Sequence, residues 1–577
     1  MLGLTTGEPN TVVGNVGIDG MSASPRGPVP YTASRSELVL SRGSSTTRFA
    51  HCRRDSPMEA YMKVALTIND FLRRASEVYP DRVAYIDEPD QPAPGWGAAT
   101  YRDMAATAAA QAAGLDALGI GQGERVAVVS HNSARLLTSF YGVSGSGRIL
   151  VPVNFRLVAE EIQYIVNHSG ARLLLIDPEL EESLAPVQAE RKMIIGTDAD
   201  HELLRFDLEP QSWTPNEDAT ATINYTSGTT ARPKGVQLTH RNLWINATTF
   251  GWHVGVSDRD VYLHTLPQFH CNGWGMTYAV TGMGGQHVIL RKVDGREILS
   301  RIETHGVTLL CGAPAVLNMV LDAAQSWDGP IPGRGVVRVV VAGAPPPTRT
   351  IERIETELEW EFIQIYGLTE SSPLLTINRG RAEFDALSPA DRAQKLSRAG
   401  APAIGIEMAT SAEGEVLARG NVIMDGYWAQ SVETAAAIHE ASDGRDWFHT
   451  GDGGFLDAEQ YLTISDRKKD VIISGGENVS SIEVEDAVFS HPEVDEVAVI
   501  GIPDEKWGEL VMALVVISPG STLTAADLIA YTKTKLAGYK CPKQVEFRDS
   551  LARTATGKLQ KFKLREPYWE GRAKTVN

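Results

Sequence analysis

The sequence predicts an α/β protein, with parallel-rich sheets covered by helices and a smaller α+β unit toward the C-terminus. Three observations carry this prediction. From about residue 66, short apolar runs alternate with stretches of helical periodicity. The apolar runs are nearly continuous, as in strands buried on both faces. After about residue 465 the texture changes to paired strands, a capped helix and a last strand.

In chain order, residues 1–57 are rich in Ser, Thr, Gly, Pro and Arg and lack periodicity, so they read as a flexible extension. An Arg/Ser-rich targeting segment is the competing reading, and Glu8, Asp19, Glu37 and Asp55 weigh against it. A start at Met58 or Met62 stays open. Residues 58–465 read as the large domain and 466–577 as the small one. ALTINDFLRRASEVY reads as a helix, and TYRDMAATAAAQAAGLDALGIG as an Ala-rich helix stopped at Gly119 and Gly121. RVAVVS, RILVPVN, ARLLLID, VYLHTLP, GQHVILR, VTLLCGAP, VRVVVAGAP and EFIQIYG read as strands. YLTISDRKKDVIISGGENVS reads as two strands flanking a charged turn that could hinge. Ser480 and Glu483 form a capping box for the helix through VEDAVFS. DEVAVIGIPD, ELVMALVVI and KQVEFRD complete the strands, and ADLIAYTKTKL is a helix.

Composition narrows the function. Hydrophobic residues make up 43% and charged residues 22%, which excludes global disorder. With 54 Lys+Arg against 72 Asp+Glu, the net charge of −18 disfavours nucleic acid and anionic membranes as partners. An anionic substrate would then require a locally basic pocket. The four cysteines, Cys52, Cys271, Cys311 and Cys541, show no CxxC or disulfide-framework spacing, which predicts a reducing, cytoplasmic setting. No apolar run approaches the roughly 18 residues of a membrane span, and no signal peptide is visible.

The most informative segment is YTSGTTARPKGV, Tyr225 to Val236. It lies between a strand and a helix that Thr239 can cap. Gly228 and Gly235 free the backbone, Thr226, Ser227, Thr229 and Thr230 supply hydroxyls, and Lys234 supplies a cation. That combination suits a polyphosphate. A Walker A loop fails, because Pro233 stands where its second glycine must be.

YTSGTTARPKG resembles the phosphate-binding signature of the adenylate-forming (ANL) superfamily, which contains acyl-CoA synthetases, luciferases and nonribosomal adenylation domains. Further segments resemble that family's motifs in the same order: QFHCNGW at 268–274, VVAGAPPP at 340–347, IQIYGLTE at 363–370, WFHTGDGGFLD at 447–457, SDRKKDVIISGGENV at 465–479 and RTATGKLQKFKLR at 553–565. The resemblance spans roughly residues 66–570. It implies a large AMP-binding domain with a β subdomain and a mobile C-terminal domain.

It also implies the chemistry: a carboxylate attacks the α-phosphorus of ATP, pyrophosphate leaves, and the acyl-AMP passes its acyl group to CoA. Thr226, Ser227, Gly228, Thr229, Thr230 and Lys234 would hold the β- and γ-phosphates. Glu370 would hold Mg²⁺ with Thr230 nearby, and Thr369 would touch the phosphates. Tyr366 would stack on adenine beside Gly343, Ala344 and Gly367. Asp452 would take both ribose hydroxyls, and Arg467 would contact ribose or phosphate. Lys558 would bridge the substrate carboxylate and the ATP oxygens, and the absence of a proline before TATGK (Ala552 and Arg553 precede it) does not move that role.

His270 would gate the acyl pocket, with an inert core histidine and a His–Cys dyad as alternatives. Asn272, Gly273, Trp274, Gly312 and Ala313 would line the pocket. Lys469 would be the hinge, Gly475 and Gly476 would let pantetheine pass, and Lys540 and Lys543 are candidate contacts for CoA phosphates. A ligase that hands acyl-AMP to a carrier protein or transferase, a luciferase-like oxygenase and a non-catalytic binding protein are the competing readings. The last should have lost Lys234, Glu370 or Lys558, and all three are present. The acid is expected to be apolar, either fatty-acid-like or an aryl or natural-product acid. A homodimer stays open.

Overall fold

Local chemistry sets the helix boundaries. Thr100 caps the Tyr101–Ala117 helix by accepting from Asp103 N, and Asp103 returns the bond to the Thr100 backbone. Gly119, at φ +72°, supplies the left-handed residue that ends it. Thr239 likewise caps the His240–Val254 helix directly after the Lys234–Thr239 strand. The structure is a computed structural model describing residues 63–197, 199–226, 232–441, 443–467, 470–475, 477–504, 506–554 and 558–570. The expected extension at 1–57, Cys52, the start at Met58 or Met62, most of the phosphate loop (Ser227, Gly228, Thr229, Thr230), Lys469 and Gly476 lie outside them.

From Val64 on, the chain forms one compact unit, in which the described residues build four sheets. A seven-stranded sheet runs in the order Gly426–Tyr427, Lys234–Thr239, Thr220–Thr226, Ile149–Val153, Arg125–Val129, Leu173–Ile176, Arg191–Ile194. Its strands from Thr220–Thr226 to Arg191–Ile194 are parallel, and Lys234–Thr239 returns antiparallel. A nine-stranded sheet has Gln286–Ile289, Val261–His264, Leu309–Gly312, Arg338–Val341 and Glu361–Gly367 side by side and parallel. Val339, Val340 and Val341 are all buried, which explains their unbroken apolar run. Burying each such side chain is worth about 1.5–3 kcal/mol.

A five-stranded antiparallel sheet holds Glu415–Gly420 and Asp446–Leu456. The last sheet pairs Val494–Asp504 with Gly508–Ile517 and adds Ile472–Ser474, Glu477–Val479 and Gln544–Phe547. Helices Ser481–Phe489 and Ala525–Thr532 pack beside it. Among the described residues no helix is long and apolar enough to cross a membrane.

The two strands flanking the DRKKD turn belong to different sheets: Leu462–Arg467 joins Asp446–Leu456, whereas Ile472–Ser474 joins the C-terminal sheet. The turn is therefore a crossing between sheets. One expectation needs correction: the capping box at Ser480 is half formed. Ser480 accepts from Glu483 N, but the Glu483 carboxylate takes Lys540 Nζ at 2.7 Å, because a nearby ammonium outcompetes a backbone N–H for a carboxylate.

Candidate active site

The site lies where strand ends of the large sheets meet the C-terminal segment. Thr220–Thr226 and Lys234–Thr239 are antiparallel partners from Thr220↔Thr239 to Thr226↔Lys234. The expected phosphate loop is thus the connection of a β-hairpin, with Thr226 and Lys234 facing each other at its neck. Lys234 Nζ lies 4.6 Å from the centroid of the Tyr427 ring, and the Tyr427 hydroxyl donates to Glu370 Oε1 at 2.9 Å. Tyr427 comes from the Gly426–Tyr427 edge strand, in register with Val236. It links Lys234, the expected phosphate cation, to Glu370, the expected metal carboxylate. Sequence reasoning missed it, because a lone Gly-Tyr-Trp carries no chemistry of its own.

Thr369 and Glu370 occupy a short turn, Thr369–Ser371, directly after the Glu361–Gly367 strand. Tyr366, at the end of that strand, donates its hydroxyl to Asp452 Oδ2 at 2.8 Å. Arg467 Nε stands 3.3 Å from Asp452 Oδ1, brought there by the Asp452↔Arg467 register of their strands. Asp452 is buried, and desolvation pushes its pKa up against the pull of Arg467 and the Tyr366 hydroxyl. Tyr366 and Asp452, expected on adenine and ribose, are joined by a direct bond. Gly367 approaches the 373–375 backbone so closely that a Cβ would overlap Pro373 O.

Lys558 reaches into this cleft. A Cβ on Gly343 would lie 3.4 Å from Lys558 Cε and 3.9 Å from its Cγ, and Gly343 itself has φ +95°. Thr554 clasps the Lys558 backbone, accepting from its N–H at 3.0 Å and donating to its carbonyl at 2.6 Å. Burial, with Arg467 nearby, lowers the Lys558 pKa to about 8, while Asp452, Glu370 and Cys271 oppose the shift. Five expected functional positions therefore share one electrostatic neighbourhood: Lys558, Glu370, Asp452, Arg467 and His270.

His270 is held neutral, its pKa lowered to about 3 by burial and by Lys558. Burial and Glu370 push the Cys271 thiol well above its usual range, which disfavours a thiolate nucleophile. Cys271, Asn272, Gly273 and Trp274 all have left-handed backbone, with φ of 45°, 54°, 60° and 58°. For non-glycine residues this costs about 1–2 kcal/mol each, so surrounding contacts must hold the turn. Asn272 is a correction: its side chain is fully buried and bonded to Thr222 and Asn224, so it braces the turn and does not line an open pocket. Gly273 faces Thr277, and Trp274 is buried in the same apolar cluster as Tyr278. A Cβ on Gly312 would face Val316, and Ala313 is the N-cap of the Pro314–Gln325 helix.

Gly475, at φ +64°, lies at the tip of the hairpin that pairs Ser474 with Glu477, and a Cβ there would strike the Trp507 ring. Lys540 is engaged by Glu483, and Lys543 Nζ donates to Gly538 O at 2.6 Å. Among the described residues no cluster of His, Cys, Asp and Glu has the geometry of an all-protein metal site. Glu370 fits a magnesium ion shared with substrate phosphates: Tyr427 occupies Oε1, which leaves Oε2 for the ion.

The family model for AMP-binding enzymes matches residues 72–428, and that for the AMP-binding enzyme C-terminal domain matches 483–558. A 2-methylpropanoate–CoA ligase of Humulus lupulus is 35% identical, over 87% of this chain and 95% of that one. A 4-hydroxybutyrate–CoA ligase of Metallosphaera sedula is 34% identical, over 86% and 93%. Among solved structures, the o-succinylbenzoate CoA synthetase of Bacillus subtilis with its acyl-adenylate intermediate aligns at TM-score 0.72 and 28% identity, over 86% of this chain and 98% of that one. An anthranilate CoA ligase bound to anthranoyl-AMP aligns at TM-score 0.76 and 25% identity, over 88% and 98%.

Proposed function

We start from the fact that the chain belongs to the AMP-binding enzyme family, and we propose that its substrate is a compact apolar monocarboxylic acid. The enzyme is an acid–CoA ligase of the ANL superfamily. The observation that carries the site assignment is the Lys558 side chain lying against Gly343, with Glu370, Asp452 and Arg467 acting on its charge. In the first half-reaction one carboxylate oxygen of the acid bonds to the α-phosphorus of ATP and the bond to pyrophosphate breaks. Two anions must meet, so the residues act by neutralising and aligning charge. Lys558 would hold the carboxylate and an α-phosphate oxygen together. Lys234 would hold the outer phosphates, and the Tyr366–Asp452–Arg467 group the nucleoside. Glu370 would hold magnesium, which supplies further charge neutralisation on the phosphates.

In the second half-reaction the CoA sulfur bonds to the acyl carbon, the bond to AMP breaks and AMP leaves; the thiol proton goes to solvent. The already activated anhydride makes an enzyme nucleophile unnecessary, in keeping with a buried, protonated Cys271. An apolar acid is supported by the neutral His270 and the buried Cys271 and Trp274 that follow it in the turn, and a compact one by the 2-methylpropanoate and anthranilate ligases the chain resembles. The test is a panel of acids assayed for ATP-dependent pyrophosphate release and for acyl-CoA by mass spectrometry, with CoA, with a carrier protein and with neither. Short branched and small aryl acids should give the highest kcat/KM, with thioester formed on CoA. Preference for long-chain acids or dicarboxylates would overturn the acid class, and thioester formed on the carrier alone would overturn the acceptor.

A further inference from the structure

The gate turn is fastened by a closed ring of three side chains. The Thr222 hydroxyl donates to Asn224 Oδ1 at 2.8 Å, Asn224 Nδ2 donates to Asn272 Oδ1 at 3.0 Å, and Asn272 Nδ2 donates back to Thr222 Oγ1 at 3.0 Å. Asn224 Nδ2 also reaches Phe269 O at 3.4 Å. All three side chains are buried to within 2%, so none of these bonds can be exchanged for water without opening the core. Two residues apart on one strand, Thr222 and Asn224 project from the same face. That strand runs directly into the phosphate loop.

We propose that the Thr222–Asn224–Asn272 ring positions the gate, holding the left-handed turn at Cys271–Trp274 so that His270 and Cys271 face Lys558. Thr222 and Asn224 are positioning residues for the acid half of the site. The two ends of the ring differ in rigidity. The Thr220–Thr226 strand is fixed on both edges, by Lys234–Thr239 and by Leu150 of Ile149–Val153. The turn belongs to no sheet, and its conformation is one that Cys271, Asn272 and Trp274 would leave if released. Breaking the ring should therefore move the gate and leave the phosphate strand in place. The effect should fall on the acid and not on ATP.

This rests on the acid–CoA ligase reading, and the experiment separates the two. Wild type, Asn224→Ala, Thr222→Val and the double variant Asn224→Ala/Asn272→Gly are compared with the panel acid of highest kcat/KM. Kd for ATP alone is measured by calorimetry. Misplacing a reacting group by an ångström costs about 100-fold, so kcat/KM for the acid should fall about 10–100-fold in each single variant, with Kd for ATP within about twofold. Glycine at 272 adopts the left-handed turn without the ring, so the double variant should recover part of the loss in Asn224→Ala. Acid kcat/KM within twofold of wild type in the single variants overturns the proposal. So does an equal loss in ATP affinity, or a double variant no better than Asn224→Ala. Thr222→Val is close to isosteric and supplies the decision if Asn224→Ala does not fold. A wild type that releases no pyrophosphate with any acid overturns the ligase reading itself.

Discussion

At the scale of single residues, the site turns on one ammonium group held among charges of both signs. Lys558 has a pKa of about 8 in the free enzyme, lowered chiefly by burial. It is a cation below that pH and loses charge above it. We predict that kcat/KM for adenylate formation, which reports the free enzyme, falls as pH rises through about 8. Bound ATP phosphates favour the charged form, so the corresponding limb in kcat should lie at higher pH. Lys558→Ala should reduce pyrophosphate release by about 10²–10³, abolish that limb and leave ATP affinity nearly unchanged; normal release would sink the assignment. The stability sign runs the other way. Between pH 8 and the unfolded lysine range the unfolded chain binds the extra proton, so this group's contribution improves as pH rises through that window. Asp452→Ala should weaken ATP binding about 10–100-fold by removing a charged acceptor worth roughly 1.5–3 kcal/mol per bond. It also frees Arg467 and the Tyr366 hydroxyl from the bonds they make with it. Unchanged affinity by calorimetry would mark Asp452 as a structural turn residue.

At the scale of elements, the arrangement that delivers Lys558 is latched by a contact between two helices. Asp486, on Ser481–Phe489, accepts from Thr348 N at 2.9 Å and Thr348 Oγ1 at 3.0 Å, at the start of Thr348–Arg353. Arg349 adds a bond to His491 O at 3.0 Å. Charged hydrogen bonds of this kind are worth about 1.5–3 kcal/mol. Asp486→Ala should therefore slow adenylation about tenfold in stopped-flow pyrophosphate release while sparing thioester formation from supplied acyl-AMP and CoA; equal losses would refute a latch. Elements with a strong local signal were legible in the sequence. The valine run of Arg338–Val341 and the cap at Thr239 appear as expected. What depended on distant partners was not. Nothing in Phe-His-Cys-Asn-Gly-Trp specifies four left-handed residues, because that conformation is imposed by Thr222 and Asn224, some fifty residues away. Glu483 was misassigned for the same reason: its partner Lys540 is 57 residues on. Tyr427 is equally remote from Glu370 in sequence.

At the scale of the whole molecule, one cleft must serve two reactions. Lys558 now fills the position beside Gly343, whereas the Gly475 hairpin rests against Trp507. The proposed solution is rotation of the C-terminal part about Lys469. The crossing from Leu462–Arg467 to Ile472–Ser474 supports it, since one strand belongs to each sheet and the chain passes between them through residues 468–471. Asp470 N and Val471 N both bond to Arg467 O, at 2.8 and 3.1 Å, so the two sides of the crossing lie close together. A few residues absorb the backbone change in a hinge. Lys469→Pro fixes φ near −65° and should separate the half-reactions. If proline suits the adenylating arrangement, one turnover of pyrophosphate persists and acyl-AMP accumulates, because the thiol cannot be brought to the acyl carbon. A rigid turn that proline merely destabilises would instead lower both half-reactions together with Tm. Quenched-flow measurement of acyl-AMP and acyl-CoA in one sample distinguishes the outcomes. Equal loss of both products, or acyl-CoA formed at the native rate, would reject Lys469 as the pivot while leaving the assignment of Lys558 intact.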